Sequence, residues 1–146
     1  MKQIVNAFVI LAATVVLVVM PAATVVHAQC TNASLTGNYG ITSSGFAAQG
    51  KGLSGNEAPW ALVGVIAFDG AGNFSSTWTY ASNGVINRGF TGSGTYTVNP
   101  DCTGSSVFTS GPAGFSFDVV IVSGGAEVFL IATSPGNTIT FDLKKQ

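Results

Sequence analysis

Short β-prone runs along this chain are interrupted at regular intervals by turn residues. After Cys30, a cluster of glycine, asparagine, aspartate or proline recurs about every ten residues. No stretch keeps a helical period, because glycine, a β-branched residue or an aromatic residue interrupts nearly every candidate window. This spacing predicts an all-β domain of many short strands joined by tight turns.

Eight strands follow from this pattern. The second one, 60–68, is apolar at both odd and even positions, which predicts burial on both of its faces. A glycine-rich stretch through Lys51 and Gly55 is the longest predicted loop. The predicted strands are 37–46, 60–68, 74–82, 85–98, 105–109, 115–122, 126–133 and 138–143.

The strongest hairpin signal is the pair Asn83-Gly84. A type I′ turn needs positive φ at both central residues, and these two residue types tolerate it. A two-residue turn here sets Trp78 opposite Gly89, where the large ring would cover the missing side chain. The pairing of 82 with 85 and of 79 with 88 follows from the same register.

Eight short antiparallel strands fit either a closed barrel or a two-sheet β-sandwich. Gly92 and Gly94 permit the sharp bend that a closing barrel requires, so an antiparallel eight-stranded barrel is preferred and the sandwich is the alternative. In the hairpin closed by Gly124-Gly125, one face is wholly apolar. Its members are the predicted core: Phe117, Val119, Ile121, Val128, Leu130 and Ala132.

Residues 1–28 have the pattern of a signal peptide. Lys2 precedes a long apolar run, and Val26 and Ala28 place small or modest residues before a cleavage point after Ala28. A signal helix is therefore expected ahead of a barrel domain at 29–146. A retained membrane anchor and lipidation at Cys30 are the alternatives. Localisation is predicted as secreted, periplasmic or cell-envelope.

Export changes how the two cysteines are interpreted. In an oxidising compartment Cys30 and Cys102 are expected to form a structural disulfide. A redox-active pair is disfavoured, because the chain has no Cys-x-x-Cys sequence and no cation near Cys30.

Composition excludes several function classes. Beyond the leader, four basic and six acidic residues remain, which supply no basic patch for nucleic acid. The only histidine, His27, lies in the leader, so the domain has no imidazole for general-base catalysis or metal binding. No cofactor and no metal are predicted: the Asp69–Asn73 segment has too few side-chain oxygens for calcium and is better explained as a turn.

Several residues are candidates for ligand binding, and each has a structural alternative. Trp60, Trp78, Tyr80 and Tyr96 could form a ligand-stacking surface or simply fill the core. Arg88, the only arginine, could anchor a ligand carboxylate or lie on the sheet exterior. Asp118 and Glu127 could form a catalytic pair of carboxylates, but their favoured role is to keep an apolar hairpin soluble.

Two segments carry a resemblance to a known group of proteins. The runs Phe-Asp-Gly-Ala-Gly-Asn-Phe at 68–74 and Gly-Thr-Tyr-Thr-Val-Asn-Pro-Asp-Cys-Thr-Gly at 94–104 resemble a pattern in small β-barrel proteins exported by bacteria. Those barrels are similar to the allene oxide cyclase and calycin type, and the resemblance extends from Gly37 onward. It implies a barrel able to confine a hydrophobic molecule, and it transfers no catalytic residue.

Three functional hypotheses fit the sequence. The first is a non-enzymatic barrel that binds a small apolar ligand or serves as an envelope or surface protein. The second is a barrel-type isomerase or cyclase acting on a hydrophobic substrate, with Tyr39, Tyr96, Glu127 or Asp118 pointing into the lumen. The third is a structural protein that self-associates into a homo-oligomer through uncharged strand edges rich in serine, threonine and glycine. In all three the mature domain is not membrane-embedded.

Overall fold

The structure, a computed structural model, describes residues 29–48 and 57–146. All eight predicted strands are present and pair in sequence order, and the last pairs with the first to close an antiparallel barrel. The barrel prediction is therefore confirmed over the sandwich. The predicted signal peptide and its helix, and the glycine-rich stretch through Lys51 and Gly55 of the predicted loop, lie outside the described residues. The strands are β1 (Thr36–Ala48), β2 (Glu57–Asp69), β3 (Asn73–Ser82), β4 (Val85–Val98), β5 (Thr103–Ser110), β6 (Ser116–Val122), β7 (Glu127–Ala132) and β8 (Thr138–Lys145).

Alternate connections lie at opposite ends of the barrel. One end carries the turns 70–72, 99–102 and 123–126, together with the start of β1 and the end of β8; we call it the closed end. The other end carries the turns 83–84, 111–115 and 133–137; we call it the mouth. Within each strand, residues alternate between the lumen and the outer surface.

The Asn83-Gly84 hairpin forms as predicted, but its register holds for only three pairs. Asn83 and Gly84 have φ of 47° and 80°. Between the pairs Tyr80↔Asn87 and Trp78↔Phe90 lie one residue of β3 and two of β4, which defines a β-bulge. Gly89, at φ 66°, provides the positive φ inside it. The prediction that Trp78 faces Gly89 is therefore wrong.

The Trp78 ring covers a different glycine. A Cβ at Gly92 would stand 2.9 Å from Cη2 of Trp78 and 2.8 Å from Cε1 of Phe108. A Cβ at Gly94 would collide with Phe74 and with the Val107 carbonyl. The two glycines thus let strand backbone approach large rings, as a tightly curved barrel wall requires.

The predicted core face is confirmed. Five of its six members are less than 9% exposed, and Leu130 packs against them. β6 and β7 pair Phe117 with Ala132 and Ile121 with Val128, which keeps this face in the lumen.

The prediction that β2 is buried on both faces is wrong. Its even-numbered residues face the lumen, but Val63 is 60% exposed on the outer surface and Val65 is 38% exposed. A second group of exposed apolar side chains lies on the outer face of β6 and β7, at Val120, Phe129 and Ile131. Among residues 29–48 and 57–146, no helix is long and apolar enough to cross a membrane.

Candidate ligand cavity

The barrel encloses a cavity of about 570 Å³ that reaches from the closed end to the mouth. Every strand contributes lumen-facing side chains to it. Cavities of this size accommodate small-molecule ligands and are commonly lined by apolar and aromatic side chains with few polar groups. A barrel filled by its own side chains would have left no such volume.

A short segment from outside the sheet forms the floor of the cavity. Asn32–Ser34 make one 3-10 turn, and Leu35, which follows, is buried in the core and lines the cavity. The predicted disulfide Cys30–Cys102 is present and ties this segment to the turn between β4 and β5. The Val98 N–H also donates to Oδ1 of Asn32 at 2.9 Å. The closed end is therefore sealed by both covalent and hydrogen bonds.

Two tyrosines secure the same end. The Tyr96 hydroxyl lies 3.0 Å from the carbonyl oxygen of Asn32 and 2.9 Å from that of Leu35. The Tyr39 hydroxyl donates to the carbonyl of Gly125 at 2.6 Å. Burial raises the pKa of both phenols above the ordinary value of 10.0. Both hydroxyls are thus engaged by backbone, and each ring serves as packing.

Aromatic rings form a connected wall along the cavity. Trp60 and Tyr80 are stacked, with ring centroids 4.5 Å apart and planes at 19°. Phe90 meets Tyr80 edge-on at 5.6 Å, and Trp78 lies 5.5 Å from both Phe90 and Phe108. Offset and edge-to-face contacts of this kind stabilise rings in place, so the wall is held in position before any ligand arrives.

Several polar groups that line the cavity already have partners. The Ser76 hydroxyl donates to the Gly92 carbonyl at 3.1 Å. Nδ2 of Asn137 donates to the carbonyls of Ser134 and Pro135, while its Oδ1 accepts from the Ala48 N–H at 3.2 Å. These groups therefore hold the wall and the turn between β7 and β8 together.

Two facing polar side chains near the mouth have no hydrogen-bond partner among the residues that the structure describes. Tyr80 and Asn87 face each other across β3 and β4, and both line the cavity. Neither the Tyr80 hydroxyl nor the Asn87 amide has a hydrogen-bond partner within the described part of the chain. They are available to a ligand at the mouth.

Ionised groups are absent from the described lining. It contains no aspartate, glutamate, lysine, arginine or histidine, and its only titratable side chains are Tyr80 and Tyr96. In the ranges 29–48 and 57–146, no three metal-ligating His, Cys, Asp or Glu side chains cluster together.

The structure brings four of the eight predicted site residues together. Trp60, Trp78, Tyr80 and Tyr96 all line the cavity. Trp78 and Tyr96 are also buried in the core. The two predicted roles, lining a ligand surface and filling the core, are therefore both met by the same side chains. Tyr39 packs edge-on against Phe68 in the core cluster and is absent from the described lining.

The other three lie on the outer surface. Arg88 is exposed at the bulge, and Asp118 is exposed opposite Ile131. Glu127 pairs with Lys144 at the closed end, with Oε1 and Nζ 3.5 Å apart. The hypothesis that Asp118 or Glu127 points into the lumen is therefore wrong, because strand alternation turns both outward.

The Asp69–Asn73 segment is a turn, as expected. Oδ1 of Asp69 accepts from the N–H groups of Ala71 and Asn73, and Nδ2 of Asn73 donates to Oδ2 at 2.7 Å. The side chain and N–H of Asn73, helped by the Ala71 N–H, lower the pKa of Asp69 to about 2. The carboxylate is occupied within its own turn.

Sequence reasoning missed several lining residues. Leu62 and Phe108 follow from strand alternation once the lumen face is known. Phe90 could not be placed, because the bulge at Gly89 shifts its register. Leu35 lies before the first strand and carried no signal of its role as floor.

Comparison of the chain with models of protein families, with curated proteins and with solved structures found no match in any of the three.

Proposed function

We propose that this protein is a non-enzymatic binder that holds a small apolar molecule in the lumen of its barrel. The observation that carries the proposal is the cavity of about 570 Å³, apolar and aromatic along its walls and sealed at one end. Burial of an apolar ligand there would be favoured by about 25 cal/mol for each Å² removed from water.

Binding is preferred to catalysis because of the groups that face the lumen. General acid–base chemistry needs a side chain whose pKa lies near the working pH. The described lining offers only phenols, and the Tyr96 hydroxyl is engaged by two backbone carbonyls with a raised pKa. An isomerase or cyclase would have to work by confinement alone.

Two features that are typical of exported proteins support this role. The disulfide fits an oxidising compartment, and the signal-like residues 1–28 fit secretion or release into the periplasm or cell envelope. A ligand carrier in such a compartment would shield its cargo from water. The resemblance to allene oxide cyclase and calycin-type barrels remains part of the same proposal.

The test uses N-phenyl-1-naphthylamine, an uncharged dye that brightens in apolar surroundings. The wild-type protein should bind it saturably at one site per chain. Leu62→Trp places a larger side chain in the lumen and should weaken binding at least tenfold. Val63→Trp, its neighbour on the outer face, is the matched control and should bind like wild type.

The exposed apolar residues on β6 and β7 provide a second control. Phe129→Ser should leave dye affinity unchanged, because Phe129 lies outside the lumen. Equal affinity in Leu62→Trp and Val63→Trp, or loss of binding only in Phe129→Ser, would show that the dye binds the outer surface and would overturn the proposal.

A further inference from the structure

The cavity changes in polarity from floor to mouth. At the floor the polar groups are already bonded, as in the contacts of Tyr96 with the carbonyls of Asn32 and Leu35. Halfway up, the Ser76 hydroxyl is bonded to backbone. Near the mouth Tyr80 and Asn87 face each other across β3 and β4, line the space, and have no side-chain hydrogen-bond partner among the described residues. Deeper in the lumen, the Ser106 hydroxyl and Nε1 of Trp78 also have no such partner, but they are single groups on largely buried side chains. The facing pair at the mouth is therefore where the polar end of a ligand gains the most hydrogen bonds.

Charge on the ligand is disfavoured throughout this space. An ionised group placed in the lumen would lose water and find no opposite charge among the described lining residues. The described arginine, Arg88, is exposed on the outer surface. A carboxylate or ammonium would thus weaken binding wherever it entered the cavity.

The wall also favours rings over flexible chains. From Trp60 through Tyr80, Phe90, Trp78 and Phe108, neighbouring rings touch at centroid distances of 4.5 to 5.6 Å. Ring systems gain specific edge and face contacts with such a surface, and a rigid molecule loses little conformational entropy on binding.

We infer that the cavity takes an uncharged, ring-containing molecule with one hydroxyl or carbonyl group, which hydrogen-bonds to the Tyr80 hydroxyl and the Asn87 amide at the mouth. The rings of that molecule lie deeper, among the aromatic side chains of the wall. This inference rests on the proposed function and narrows its ligand class.

Three probes of equal ring size test it at pH 7: 2-naphthol, 2-naphthoate and naphthalene, each competing with the dye. 2-Naphthol is a phenol and stays uncharged at this pH. It should bind at least tenfold more tightly than 2-naphthoate because the carboxylate must be desolvated. It should also bind about three- to tenfold more tightly than naphthalene, since it adds hydrogen bonds at the mouth.

Two variants test the polar contact. Asn87→Leu and Tyr80→Phe each remove one partner while keeping an apolar side chain of similar shape. Each should reduce the advantage of 2-naphthol over naphthalene to less than about twofold, with naphthalene affinity unchanged. Thr77→Val, an exposed β3 residue on the outer face, is the matched control and should keep the full advantage.

The outcomes distinguish the inferred ligand class from the proposed function, which is apolar binding in the lumen. If 2-naphthoate binds as tightly as 2-naphthol, or if both variants keep the wild-type preference, the ligand class is wrong while apolar binding in the lumen stands. If the dye binds in the lumen by the Leu62→Trp test but none of the three probes displaces it, the ligand class is likewise wrong. If Leu62→Trp and Val63→Trp bind the dye equally, the proposed function itself is wrong.

Discussion

The two ends of the barrel share one backbone plan but differ in how their side chains are used. At the closed end, Tyr39, Val128 and Leu143 are 0% exposed and Leu35 is 1% exposed. At the mouth, Val85 and Phe90 both line the cavity, yet they are 62% and 39% exposed. These closed-end side chains are fully buried in the core, whereas Val85 and Phe90 at the mouth border the cavity with much of their surface exposed.

The difference shows that closing eight strands into a barrel does not by itself fill the lumen with side chains. A barrel of this size has a lumen that side chains can only just fill. At the closed end Leu35 and the disulfide-linked segment complete the filling. We therefore expect the fully buried closed-end side chains to contribute more to stability than the largely exposed Val85 at the mouth.

The largest expected effect comes from releasing the segment that forms the floor. The double variant Cys30→Ser/Cys102→Ser removes a cross-link between residues 72 positions apart. It should lower the free energy of unfolding by about 4 kcal/mol, because the unfolded chain regains the entropy that the disulfide removed. Urea denaturation measures it. A denaturation midpoint equal to that of wild type would show that the floor holds without its covalent bond.

A smaller effect should follow from truncating one fully buried side chain of the core. Leu143→Ala, at a fully buried position, should cost about 3 kcal/mol through lost burial and an added cavity. Val85→Ala, its counterpart at the mouth, should cost less than about 0.5 kcal/mol because Val85 is largely exposed already. Similar losses in urea denaturation for both variants would remove the contrast between the two ends.

The smallest effect concerns alkaline pH. The pKa values of Tyr39 and Tyr96 are raised by burial, so the folded protein keeps protons that the unfolded chain releases above about pH 10. Their contribution to stability is complete below pH 10 and is lost as the pH rises towards the folded pKa values.

Urea denaturation at pH 8 and near pH 11 measures this loss. Tyr39→Phe should cost about 1 kcal/mol at pH 8, by deleting the hydrogen bond to Gly125, and should then lose less stability than wild type on going to pH 11. The control is Thr77→Val on the outer face, which removes no titratable group and should lose as much stability as wild type on going to pH 11. A steeper loss in Tyr39→Phe than in wild type would contradict the assignment.

Much of the fold could be predicted because its signals are local. The Asn83-Gly84 turn, the Asp69–Asn73 turn and the alternation of β6 and β7 each depend on a few neighbouring residues. The bulge at Gly89 could not be predicted, because glycine in a strand equally indicates a bend, a bulge or close packing. The outer valines of β2 were misplaced because an apolar residue does not report which face it lies on.

The candidate site was only half predictable for a related reason. Candidate aromatic residues could be identified from the sequence. Whether the lumen holds a cavity, however, depends on the combined size of side chains that lie far apart in the sequence. The floor illustrates this, since Leu35 contacts a cavity formed mainly by residues far along the chain. Sequence separation hides such contacts, and only closure of β1 on β8 reveals them.

The most direct measurement is an isotope-filtered NOE experiment on the folded protein saturated with 2-naphthol. The proposed site predicts NOEs from the ring protons of the probe to methyl groups of Leu62, Leu130 and Ile139, which line the cavity. It predicts none to Val63 or Ile131 on the outer surface. NOEs to those outer methyls, with none to the lumen, would contradict the claim that the barrel interior is the binding site.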